Sequence, residues 1–164
     1  RKKMLKSGRS RYFLMHISKK ILKRRKKERQ SIQPFLNVEI VGTASRTVKK
    51  FQIADEPKYV NGKATQEFYP IYLSITNIGN GFANTLTFGT GESLTGVSFK
   101  EVFIVNQKKE VLLNVQTYKM GRGVKFFIWF ADSMTNEYVQ YYELKRNEDG
   151  TGYDLDVGYP NLIE

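Results

Sequence analysis

Few residues of this chain could carry catalytic chemistry. The single histidine, His16, lies in a basic segment with no acidic or nucleophilic neighbour, so nothing in the sequence sets up a Ser-His-Asp arrangement around it. The chain contains no cysteine, which excludes disulfides and thiolate metal sites, and one histidine alone gives zinc no ligand set. The sequence therefore predicts no catalytic residue, no metal and no cofactor.

The richest acidic cluster lies near the C-terminus and superficially resembles a calcium-binding loop. Asn147, Asp149, Gly150 and Asp156 would occupy ligand or turn positions of such a loop, but its first position would be Lys145, which cannot bind calcium. An Asp-Gly pair is also a strong signal for a tight hairpin turn. We interpret this segment as a hairpin, and the glycine motifs 79–83 and 89–96 as turns, because both lack the charged partners of nucleotide-binding loops.

Basic residues at the N-terminus are the sharpest feature of the sequence. Residues 1–30 hold fourteen Lys or Arg and one acid, whereas the remaining 134 residues are nearly neutral. Such asymmetry predicts a cationic arm that binds a polyanion, either anionic lipid or nucleic acid. The predicted phosphate or head-group contacts are Lys19, Lys20, Lys23, Arg24, Arg25, Lys26, Lys27 and Arg29.

An apolar stripe accompanies these charges. At 100° per residue, Phe13, Leu14, Ile17 and Ile21 fall within an arc of about 100°. Beyond Ile21 the predicted helix is basic on all sides. The stripe favours a lipid interface or a protein groove over nucleic acid, because arms that bind nucleic acid seldom need bulky aliphatic residues.

The hydrophobic period changes at Pro34, which predicts two units, a basic helical arm (1–33) and a β domain (34–164). We expect the helix to cover about residues 11–29, since Gly8 interrupts the pattern before it and Pro34 disfavours helix at residue 33. After it, short alternating segments separated by Gly and Asn turns predict a mainly β, antiparallel, immunoglobulin-like sandwich of about eight strands. The expected strands are 35–41, 47–53, 68–77, 83–88, 99–105, 110–118, 124–132, 138–145 and 153–157.

One strand, around residues 126–130, is apolar on both faces. Alternation places Phe127 and Trp129 on the face opposite Phe126 and Phe130. Either neighbouring groups cover both faces of a central strand, or Phe127 and Trp129 form an exposed patch with Tyr141 that binds a protein partner.

Three local patterns resemble a group of poorly characterised bacterial membrane-anchored proteins. In these, a transmembrane helix is followed by a basic stretch and a small immunoglobulin-like sandwich. The matching segments are Ile32-Gln-Pro34-Phe35-Leu-Asn-Val38, Leu73-Ser-Ile75-Thr-Asn77-Ile-Gly79-Asn-Gly81-Phe-Ala83 and Ile128-Trp-Phe130-Ala-Asp132-Ser-Met-Thr-Asn136-Glu-Tyr138. The resemblance implies a cytoplasmic, juxtamembrane domain with no catalytic residue to assign; its anchor would lie upstream of residue 1.

Three hypotheses follow in order of preference. The first is a non-catalytic adaptor at the cytoplasmic membrane face, with the helix on anionic lipid and the β domain on a protein partner. The second is a cytoplasmic, nucleic-acid-associated protein that binds nucleic acid through residues 1–30 and uses the sandwich as a protein-interaction module. The third is an enzyme that uses carboxylates such as Asp132, Asp149 or Asp154.

Overall fold

A computed structural model describes residues 7–43, 48–53, 59–64, 68–90, 93–116 and 123–163 of the chain. Among these, the side chains of residues 7–17, 53, 64 and 93–97 lie outside the described set. One helix is followed by twelve strands, so the described part of the chain is mainly β, with more strands than the eight or nine expected.

The helix, α1 (Ser7–Ile32), confirms the predicted helical arm and ends two residues before Pro34. It begins earlier than residue 11 and includes Gly8. A glycine costs about 1 kcal/mol relative to alanine inside a helix, and one such residue in the first turn does not stop a 26-residue helix.

Two sheets form the body of the protein. The first has the order β1-β5-β8-β2 and the second the order β11-β10-β9-β6-β7, with β12 paired to β10, while β3 and β4 form a separate hairpin. The strands are β1 (Leu36–Val41), β2 (Lys49–Ile53), β3 (Tyr59–Val60), β4 (Lys63–Ala64), β5 (Phe68–Asn77), β6 (Asn84–Thr90), β7 (Ser93–Phe99), β8 (Lys108–Gln116), β9 (Val124–Ala131), β10 (Glu137–Arg146), β11 (Tyr153–Val157) and β12 (Asn161–Leu162).

The inner faces of both sheets contribute to one hydrophobic core. Phe51 of the first sheet contacts two rings of the second, with centroid distances of 5.1 Å to Phe88 and 5.8 Å to Phe126. Alternation along β9 and β10 supplies most of the second sheet's inner face, as its period predicts. The core side chains of these two strands are Val124, Phe126, Ile128, Phe130, Tyr138, Tyr142 and Leu144.

Two expectations about strand arrangement are wrong. The sheet is not wholly antiparallel, because β2 pairs with β8 in parallel register; alternation in a sequence does not encode strand direction. The segment 99–105, expected as a strand, contributes only an isolated bridge between Ala83 and Phe103. Instead, Ser93–Phe99 form β7, which overlaps the glycine motif 89–96 that was interpreted as a turn, since antiparallel pairing with β6 outweighs weak local propensity.

The body has two ends, and the helix enters at one of them. Leu36 of β1 pairs with Asn77, the last residue of β5, and Asn77 accepts a backbone hydrogen bond from Asn106. The turn between β9 and β10 lies at the same end, because Asn84 at the start of β6 pairs with Ala131. We call this the helix end, formed by turns 78–82, 100–107 and 132–136. The β10–β11 turn lies at the opposite end.

Candidate functional site

The basic residues predicted to contact phosphates lie on an exposed helix. From Ser18 to Gln33 the helix and its C-terminal extension carry eight Lys or Arg and one acid, Glu28. All of the basic side chains are exposed except Arg29, which is half-buried. Glu28 neutralises part of the charge of Arg24, since its carboxylate lies 3.0 Å from the guanidinium. The predicted charges are therefore all present at the helix surface, where a polyanion can reach them.

The helix meets the body through its C-terminal turn. Gly81 approaches the end of the helix so closely that a Cβ there would lie 2.1 Å from the carbonyl oxygen of Ile32. The side-chain amide of Asn80 donates to the carbonyl of Gln30 (3.1 Å), and its backbone N–H donates to the carbonyl of Gln33 (3.0 Å). The side-chain bond satisfies one of the carbonyl groups that the last turn of a helix leaves unpaired, and the backbone bond holds the residue that follows the helix.

This helix seat, formed by Gly79, Asn80 and Gly81, was predicted only as a turn. Gly79 is as crowded as Gly81, since a Cβ there would lie 2.2 Å from the backbone nitrogen of Phe35. Two glycines separated by one residue can indicate that another segment of backbone approaches closely. Nothing in the sequence shows that this segment is the end of the helix. The seat fixes the C-terminal turn of the helix at a defined place on the body.

A cleft of about 180 Å³ separates the last turns of the helix from β10 and β12. It combines two cations with amide groups and apolar side chains. Its lining residues are Lys26, Arg29, Gln30, Gln33, Tyr138, Pro160 and Leu162. A second cleft, of about 420 Å³, shares Gln30, Gln33 and Pro160 with the first. It is also lined by Phe35, Ile78 and Tyr159.

Tyr138, which lines the smaller cleft, donates a hydrogen bond to the buried carboxylate of Asp132. Asp132 accepts bonds from the backbone N–H groups of Met134 and Asn136, from the Asn136 side-chain amide and from the hydroxyl of Tyr138. Burial, then the charge of Asp132 and its hydrogen bond, raise the pKa of Tyr138 to about 12, although the nearby Arg29 acts in the opposite direction. Asp132 thus shapes the β9–β10 turn.

The carboxylates that an enzyme hypothesis would need are not brought together. Asp149 lies in the predicted hairpin turn, where bonds from the N–H and hydroxyl of Thr151 lower its pKa. That turn is at the far end of the body from Asp132, and Asp154 lies on β11. Within the described ranges no group of three His, Cys, Asp or Glu residues could hold a metal ion.

Ile21 is the member of the apolar stripe whose side chain the structure describes. The side chains of Phe13, Leu14 and Ile17 lie outside the described residues. Ile21 is 47% exposed. Leu22, which the sequence interpretation left out of the stripe, is 63% exposed about 100° further round the helix. No described helix is long and apolar enough to cross a membrane.

The predicted aromatic patch is not an exposed patch as a whole. Phe127 is buried, with its ring centroid 5.9 Å from that of Tyr141, and Trp129 is half-buried; Tyr141 alone of the three is exposed. The reason is the central position of β9, which has β10 on one side and β6 on the other. The interpretation that neighbours cover both faces of this strand is confirmed for Phe127.

The chain has no match among protein-family models, curated proteins or solved structures.

Proposed function

We propose that this protein is a non-catalytic binding domain held at the cytoplasmic face of a membrane, where its basic helix contacts anionic lipid head groups and its body engages a protein partner. One observation carries the lipid contact: eight Lys or Arg against one acid, on a helical segment whose side chains are almost all exposed. The sequence resemblance to juxtamembrane domains of bacterial membrane-anchored proteins supports the same location.

The free energy that basic residues gain near anionic lipid favours a membrane-bound helix over one that is only solvated. A basic residue near an anionic surface gains about 1 kcal/mol. A straight helix of 26 residues is about 39 Å long, so one side of it can bring roughly three or four of these charges to a flat surface at once. Ile21, exposed on the helix, adds apolar area that a bilayer interface would cover.

Nucleic acid is the second candidate for the helix. Basic side chains surround the helix beyond Ile21 on every side, and a polyanion without a flat surface can exploit that distribution. The exposed aliphatic side chains Ile21 and Leu22 have no role in such a complex, which is why we place lipid first.

Vesicle co-sedimentation over a salt series tests the proposal. We expect the chain to sediment with phosphatidylserine-containing vesicles and not with phosphatidylcholine alone. The triple variant Lys20→Gln, Arg24→Gln, Arg25→Gln removes exposed charges from the side of the helix that carries Ile21. It should bind on the order of 100-fold more weakly, since it loses about 1 kcal/mol for each charge in contact.

A matched control removes the same charge from the body, through Lys50→Gln, Lys63→Gln and Lys125→Gln, all exposed positions. If both triple variants lose the same affinity, only net charge matters and the helix is not the binding element. If neither vesicle type binds the chain while a gel shift with nucleic acid depends on residues 1–30, the second candidate replaces the first.

We also propose that the body has an immunoglobulin-like topology. The order β1-β5-β8 in one sheet and β7-β6-β9-β10 in the other corresponds to strands A-B-E and C′-C-F-G of that fold. The parallel edge strand β2 and the added β11 depart from it. An experimental structure that placed β6 in the first sheet would contradict this assignment.

A further inference from the structure

Large apolar side chains are exposed on all three turns of the helix end. Such residues are ordinary when scattered singly, but their concentration on the turns of one end suggests a binding surface. We call this set the apolar turn cluster; it consists of Ile78, Phe82, Val102, Ile104, Val105 and Met134.

Backbone pairing holds the turns of this cluster next to one another. The side-chain amide of Asn77 donates to the carbonyls of Gly81 and Phe103, which joins turn 78–82 to turn 100–107. The antiparallel bridge between Ala83 and Phe103 sets Phe82 opposite Ile104. The pairing of Asn84 with Ala131 places the third turn beside the first two.

The turns are also held in defined shapes. Asn106 and Thr135 have φ values of 64° and 62°, a region that residues other than glycine seldom adopt. Such strain persists only where surrounding contacts impose it, and it concentrates at binding sites. Here the contacts are hydrogen bonds to Asp132 and to the carbonyl of Asn77.

The charge around the apolar turn cluster matches an anionic surface. Lys100 and Lys108 flank turn 100–107 and are exposed. Among the acids of this end, Glu101 is ion-paired with Lys109, Asp132 is buried, and Glu137 is exposed. The C-terminal turn of the basic helix contacts the helix seat within turn 78–82, so the positive charge of the helix adjoins the same end of the body.

We propose that the helix end of the body inserts its apolar turn cluster into the interface of an anionic bilayer, beside the basic helix. Apolar side chains flanked by lysines suit this environment, because the former enter the boundary of the acyl chains while the latter meet phosphates. The inference rests on the proposed lipid contact of the helix and extends it, since it gives the body a fixed orientation with its far end away from the membrane.

Single-cysteine labelling tests this insertion without background, because the natural chain contains no cysteine. An environment-sensitive fluorophore would be attached to Ile104→Cys or Met134→Cys, whose native side chains are 58% and 63% exposed. The matched control is Val60→Cys. Val60 is 57% exposed and lies on the β3–β4 hairpin, between the end of β2 and the start of β5, both at the far end of the body.

We expect a blue shift at positions 104 and 134 when phosphatidylserine-containing vesicles are added, and none at position 60. If the labelled chains sediment with these vesicles but positions 104 and 134 show no shift, insertion is wrong and the helix contact stands. An equal shift at position 60 would also overturn it, because the body would then have no fixed orientation. Failure to sediment would overturn both proposals.

Affinity supplies a second readout. The double variant Ile104→Ser, Met134→Ser should bind anionic vesicles roughly tenfold more weakly, because it removes apolar side chains that would enter the interface. Val60→Ser should leave binding unchanged. Unaltered affinity of the double variant would contradict insertion, and since exposed side chains contribute little to folding, its thermal unfolding should match that of the natural chain.

Discussion

The carbonyl oxygen of Ile32, the last helical residue, lies where a Cβ on Gly81 would be only 2.1 Å away. Position 81 therefore accepts only glycine without a backbone shift, and the direction in which the helix leaves the body depends on this contact. Asn80 adds two hydrogen bonds at the same place. The helix seat thus determines where the positive charge of the helix lies relative to the apolar turn cluster.

Replacing Gly81 by alanine should displace the helix from its seat and destabilise the protein. The added methyl group would overlap a backbone atom, so we expect a loss of about 2 kcal/mol or more in the free energy of unfolding. Urea denaturation measures it. Gly42→Ala is the matched control, since a Cβ there meets nothing within 4 Å. Equal stability of the two variants would show that the close approach at Gly81 does not exist.

A second prediction concerns Gln140, which is completely buried and joins the first strand to the second sheet. Its side-chain oxygen accepts a bond from the N–H of Leu36, and its amide donates to the carbonyls of Leu36 and Gly158. Gln140→Leu would leave a buried N–H unpaired, so we expect a loss of about 2–3 kcal/mol in the free energy of unfolding. Gln52→Leu, at an exposed strand position, should change it by less than about 0.5 kcal/mol. Similar losses in both variants would mean that the bonds of Gln140 contribute nothing specific.

The sequence predicted the elements of this fold better than their arrangement. Pro34 marks where helix α1 stops. The pairing of β9 with β10 follows from short-range signals, because the two strands are neighbours in sequence and are joined by a short turn. Asp149-Gly150 likewise marks the β10–β11 turn, where Gly150 has a φ of 70°. The parallel pairing of β2 with β8 was not predictable from alternation, because both strand directions give the same pattern.

The candidate site also contains features that the sequence predicts and features that it does not. The basic helix could be predicted because charge is a property of the residues themselves. The helix seat and the apolar turn cluster could not, since they arise where turns far apart in sequence meet. Phe127 was ambiguous for a related reason: whether an apolar outer face is covered depends on neighbours that β9 acquires only in the folded sheet.

Glu28 offers a variant that should strengthen lipid binding. It is the one acid on the described helix and is exposed, so Glu28→Gln raises the helix charge by one and frees Arg24 from its partner. With about 1 kcal/mol for each added net charge near the surface, affinity for anionic vesicles should increase roughly fivefold. Vesicle co-sedimentation at fixed salt measures the change. Glu39→Gln, on an exposed position of β1, should have a much smaller effect, and an equal gain there would mean that binding responds to net charge alone.

The last prediction concerns alkaline pH and the Tyr138–Asp132 hydrogen bond. Because burial and the Asp132 carboxylate raise the pKa of Tyr138 from 10.0 to about 12, the folded protein binds its proton more tightly than the unfolded chain does. Stability from this group is therefore fully present below pH 10 and is lost as the pH rises through 12, by an amount of about 2–3 kcal/mol. Urea unfolding between pH 8 and 12 measures the loss in the natural chain and in Tyr138→Phe.

The variant should be less stable at pH 8, where a hydrogen bond to a charged group is missing. Its stability should then fall less steeply with pH, although Tyr142, whose pKa burial also raises, contributes to both curves. Parallel curves for the two proteins would show that Tyr138 titrates alike in the folded and unfolded states.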